Sequence, residues 1–129
     1  MKKIWLSIFV LFLSFSSFAQ SANVPSDCSI LHKGEFFYTT DKDNKVKVVI
    51  DSTQHTEYHN NGAYYIKSTL KWTSSCSYEM TMNEVTIPNF PFKPGDVMTV
   101  KVIRINGKNI YYTSFVKGNT GNGILTKVK

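Results

Sequence analysis

The 129-residue sequence predicts an all-β protein, an antiparallel meander of seven or eight strands that closes into a small barrel, with an open β-sandwich as the alternative. Three observations predict it. Apolar and polar residues alternate with a period of two in most segments after residue 34, the signature of half-buried strands. Asn61-Gly62 and Asn106-Gly107 sit between such segments, and Asn-Gly supplies the positive φ angles of a tight hairpin turn. No segment after residue 20 carries a convincing helical period. A meander of this many strands must also hide its edges, which closure does most completely.

The elements follow in order. EFFYTT (35–40) and KVKVVIDS (45–52) flank the polar turn Asp41 to Asn44 and make a first hairpin. In the second of these, Val46, Val48 and Ile50 share one face and Lys45 and Lys47 the other. QHTEYH (54–59) follows a kink at Ser52-Thr53. AYYIKSTLKW (63–72) places Tyr64, Ile66, Leu70 and Trp72 on one face. Thr73 to Ser75 turn the chain into CSYEMTMNEV (76–85), where Cys76, Tyr78, Met80 and Met82 share a parity. TIPNFPFKPGD (86–96) has three prolines and reads as the one real loop, a lid or plug at the barrel mouth. VMTVKVIRI (97–105) and NIYYTSFVK (109–117) form a hairpin, and GNTGNG (118–123) turns into the last strand, ILTKVK (124–129).

The first residues set the expected compartment. Met1-Lys2-Lys3 is a basic start, Ile4 to Phe18 an apolar run too short to span a bilayer as a stable helix, and Ser17-Phe18-Ala19 a small-residue cleavage site. A signal peptide over 1–19 is therefore expected, leaving 20–129 as one β-barrel-like domain in the periplasm or outside the cell, with no stable membrane insertion after cleavage. The formal charge of +6 includes Lys2 and Lys3, so the remainder carries +4. Its lysines stand singly and Arg104 is the only arginine, which excludes a clustered nucleic-acid footprint. An even cysteine count in an exported chain favours a Cys28–Cys76 disulfide, with two buried free thiols as the alternative. Closing that loop would stabilise the fold by about 4 kcal/mol.

The residues Cys28, Gly34-Glu35-Phe36, Gln54-His55-Thr56-Glu57 and Trp72-x-x-x-Cys76-x-Tyr78 resemble a loose family of small exported proteins of Gram-negative bacteria with no established function. The family pattern is C…G-x-F…Q-x-E…W-x-x-x-C-x-Y, and the Gln54 to Glu57 step here is one residue longer. The resemblance implies a lipocalin-like barrel and an inter-strand Cys28–Cys76 bond, and it implies no catalytic residue.

Candidate chemistry is sparse. His55, Glu57 and His59 project to one face of a strand at steps of about 6 to 7 Å, and two imidazoles with a carboxylate suit zinc, His32 being a possible fourth ligand. The neighbouring pattern places this trio on the solvated face. No nucleophile elbow, metalloprotease helix, phosphate loop or dinucleotide fingerprint occurs, so a non-enzymatic protein without a cofactor is expected. The aromatics are too many for one face, and the pairs Phe36-Phe37, Tyr64-Tyr65 and Tyr111-Tyr112 each force one ring outward. The sequence therefore predicts a binder of a small apolar or amphipathic ligand, lined by Tyr64, Trp72, Tyr78 and Phe92. The alternatives are a protein-interaction or inhibitor module using Tyr65 and Tyr111, and a metal-binding protein using the histidine trio.

Overall fold

Every hairpin that the alternation predicts is present in the computed structural model, which describes residues 24–40 and 44–129. The leader expected over 1–19 lies outside the described residues. Eight antiparallel strands run in chain order around a closed barrel: β1 Lys33–Thr39, β2 Lys45–Asp51, β3 Gln54–His59, β4 Tyr64–Ser74, β5 Ser77–Val85, β6 Val97–Asn106, β7 Asn109–Val116 and β8 Asn119–Lys127. The open sandwich is thereby set aside.

Register fixes what faces inward. Phe36 of β1 lies opposite Val48 of β2, and Ile50 opposite His55 of β3, so the inward residues, largely apolar except on β3, fill the interior. Phe36, Val48, Ile66, Met82 and Ile110 are almost wholly enclosed, the side-chain filling expected of a narrow eight-stranded barrel. Two irregularities keep this inward set in phase. The pairing shifts between Lys67 and Ser68, where Asn83 is the extra residue of β5, and between Val102 and Arg104, where Ile103 is the extra residue of β6. Val85 and Ile105 consequently rejoin the inward face opposite Ile66 and Ile110.

One end is plugged. A 3-10 turn, Ser29–Leu31, precedes β1 and buries Leu31 against the core. Cys28 is bonded to Cys76 with their Cα atoms 5.0 Å apart, and the Cys28 amide donates to Ser75 Oγ at 3.0 Å. Trp72 closes this end from β4: its ring stacks on His32 at 3.7 Å, meets Tyr78 edge-on at 4.9 Å, and its Nε1 donates to the Ser52 carbonyl. Gly34, at φ +140°, is required here because a side chain would run into the Lys129 carbonyl.

Two segments differ from the sequence reading. Ser52-Thr53 is a full reversal between β2 and β3 rather than a kink, with Ser52 at φ 49°. GNTGNG is mostly strand: only Lys117 and Gly118, both at positive φ, make the turn, and β8 starts at Asn119. Gly121 and Gly123 lie opposite Ser114 and Tyr112. A Cβ on Gly123 would collide with the Tyr112 ring and hydroxyl, so this glycine gives an aromatic ring room across the sheet. No helix among the described residues is long and apolar enough to cross a membrane.

Candidate functional site

Inside the barrel, β3 brings polar groups to an otherwise apolar wall. His55 faces inward between Ile50 and Ser68, Glu57 between Val48 and Ile66, and His59 opposite Tyr64, while Thr56 and Tyr58 take the outer side. The solvated face expected for this trio is therefore wrong. A strand's own parity says which residues share a face, but the partners' register says which face that is. The Tyr38 hydroxyl donates to Glu57 Oε1 at 2.7 Å. Burial pushes the Glu57 carboxyl above its usual range, with the Tyr38 hydrogen bond opposing. Burial likewise raises the Tyr38 and Tyr78 phenols, and lifts Tyr112 to about 12 with the Glu57 charge adding to it.

His55 is 4% exposed, and its Nδ1 has no hydrogen-bond partner, nor has Ser68 Oγ opposite it. Burial drives the His55 pKa down to about 4 and lowers that of His59. A cavity of about 40 Å³ adjoins this cluster, bounded by Tyr38, His55, Glu57, Tyr78, Tyr112 and the apolar residues around them. That is room for water-sized molecules only. The trio's heads are also not gathered for metal binding: no group of three His, Cys, Asp or Glu side chains among the described residues is placed to hold an ion.

The larger space lies at the barrel's seam. β8 pairs with β1 only through Phe36–Lys127 and Phe37–Thr126, backed by hydrogen bonds joining Glu35 to Val128 and Lys129. Beyond Phe37, β1 continues to Thr39 on β2 alone, and β8 from Asn119 to Leu125 lies on β7 alone. Where these two strands part, a cleft of about 770 Å³ opens. Outward-facing Phe37, Tyr111, Ile124 and Val128, with the bulged Ile103, give it apolar walls, and Asn109, Asn122 and Thr126 add neutral polar groups. Tyr38 and Tyr112 line both this cleft and the inner cavity, so two phenol rings separate the outer space from Glu57. A second groove, about 440 Å³, shares Phe37 and Lys45 with the cleft and extends toward Tyr58 and Asn61.

The four residues expected to line a ligand site are not brought together. Tyr78 is buried beside the inner cavity, and Trp72 belongs to the plugged end. Tyr64 starts β4 at the opposite end, and Phe92 meets Phe90 edge-on at 5.7 Å in the proline-rich loop. None of them lines the seam cleft. Of the outward rings, Tyr111 does and Tyr65 does not. Phe37, not singled out from the sequence, is the outward member of the doublet Phe36-Phe37, as Tyr111 is of Tyr111-Tyr112. Tyr38 could be placed inward by parity, but its access to the seam depends on a pairing that no local pattern announces.

Comparison with known protein families, curated proteins and solved structures finds no match to this chain.

Proposed function

We propose that the chain is an exported, non-enzymatic β-barrel protein that binds a small apolar or amphipathic molecule in the β1–β8 cleft. The supporting observation is the contrast between the two spaces. The inner cavity beside Glu57 holds about 40 Å³, whereas the seam cleft offers about 770 Å³ with largely apolar walls. Export to the periplasm or beyond draws support from the leader-like residues 1–19 and the Cys28–Cys76 bond. The absence of a catalytic constellation in the sequence supports a binding role, and kinship with the small exported family named above remains part of this proposal.

The test is binding of the neutral dye N-phenyl-1-naphthylamine to the chain from residue 20, followed by its fluorescence. Tyr111→Ser should weaken binding about tenfold, the order expected for removing one aromatic wall. A joint Tyr64→Ser and Phe92→Ser variant should leave it unchanged. The opposite pattern, or no binding by the unaltered protein, would refute the reading. A second reading as a protein-interaction module is favoured by the unpaired outer edge of β8 from Asn119 to Ile124, to which an extended segment of a partner could add as a strand.

A further inference from the structure

Each aromatic wall of the seam cleft carries a cation. Lys45 Nζ lies 5.8 Å from the centre of the Phe37 ring, and the Arg104 guanidinium lies 4.6 Å over the Tyr111 ring on the other side. Both rings line the cleft, and so does Lys45. No carboxylate lines it among the described residues. Among the described residues neither cation has an acidic partner: the ion pairs there involve Lys33, Lys47 and Lys117 instead. Among the described residues, then, the trough has apolar walls, a positive charge over each and no carboxylate lining it, a surface complementary to one kind of small molecule.

We infer that the ligand is a single-chain amphiphile with an anionic head group, its apolar body lying against Phe37, Tyr111 and Ile124 and its head held by Lys45 or Arg104. This inference rests on the proposed cleft reading. The trough is bounded by two strands that converge at Phe37–Thr126, so it takes one molecule from solution rather than resting on a lipid surface. Lysine offers a point charge on a flexible stem, whereas arginine offers a planar fork, so the two walls suit carboxylate, phosphate or sulfate heads alike.

The experiment displaces bound N-phenyl-1-naphthylamine with three amphiphiles of one chain length and different heads: dodecanoate, dodecyl maltoside and dodecyltrimethylammonium, each below its aggregation threshold. The quantity read is the ratio of the anionic to the neutral affinity within each protein variant. It should be roughly fivefold to tenfold in the unaltered protein at low salt, fall as salt is raised, and collapse toward one in a Lys45→Gln and Arg104→Gln double variant. Lys71→Gln removes the same charge from β4, on which no cleft residue lies, and should leave the ratio intact. A ratio near one in the unaltered protein, or one that the double variant preserves, would overturn the head-group assignment while the dye still reports a working cleft. Absence of dye binding would overturn the cleft reading itself. Flotation with anionic phosphatidylglycerol vesicles, lost in the double variant, would identify a membrane surface as the occupant and overturn the single-molecule assignment.

Discussion

Protonating His55 would place a cation on the inner wall of the barrel, where its Nδ1 has no partner even when neutral. Its folded pKa of about 4 lies below the ordinary 6.5, so between these values the unfolded chain holds more protons. Stability should therefore rise with pH from about 4 to 6.5 and then level off, by at most about 3 kcal/mol from this group. Glu57 works in the opposite sense. Its folded pKa is raised above 4.5, the native state holds more protons, and stability falls as pH climbs through that raised value. Urea unfolding across a pH series should show a flatter acid limb for His55→Leu and a more stable protein near neutral pH for Glu57→Gln. Profiles parallel to that of the unaltered chain would contradict both assignments. The sequence makes it legible that His55, Glu57 and His59 share a face. It does not make the inward direction legible, because that follows from pairing with Val48 and Ile50 of β2.

At the level of elements, β8 is the strand that composition disguises. Asn119-Thr120-Gly121-Asn122-Gly123 reads as a turn by residue preference, yet each residue is paired with β7. The overlooked signal is the spacing of Gly121 and Gly123, two apart and hence on one face. Tyr112 fills the volume that a side chain at 123 would need. Gly123→Ala should therefore cost about 1 to 3 kcal/mol through overpacking, and Tyr112→Ala in the same chain should recover much of the packing part of that loss. Denaturant midpoints of the two single variants and the double variant would reveal the coupling, and simple additivity would mean that the ring and the glycine do not depend on each other. Other elements are easier to read where the inward residues are apolar, as Val46, Val48 and Ile50 of β2, or where the turn carries Asn-Gly, as at Asn61-Gly62 and Asn106-Gly107.

For the whole molecule, the Cys28–Cys76 bond ties the segment before β1 to the start of β5, 48 residues later. Replacing both cysteines with serine should lower unfolding stability by about 4 kcal/mol if constraint of the unfolded chain dominates, and guanidinium titration would measure it. An unchanged midpoint would mean that Leu31, Trp72 and the Ser75 contact hold the plug without the bond. Closure of the meander was legible from strand count and from the need to hide edges. The shortness of the closing ladder was not, since alternation identifies faces but not how many residues of two distant strands will meet. The cleft was hidden from the sequence for the same reason, and only its wall residues showed, as aromatic doublets.

The chain has two tryptophans, Trp5 in the leader-like segment and Trp72 at the plugged end. Past residue 19, intrinsic indole emission therefore comes from a single ring sandwiched with His32 and Tyr78, away from the seam, whereas Tyr38, Tyr111 and Tyr112 are the chromophores that border the cleft. Indole emission excited at the long-wavelength edge of the band thus reports the disulfide-tied end through one ring without any label being attached, whereas phenol absorbance sums the three seam tyrosines with Tyr58, Tyr64, Tyr65 and Tyr78.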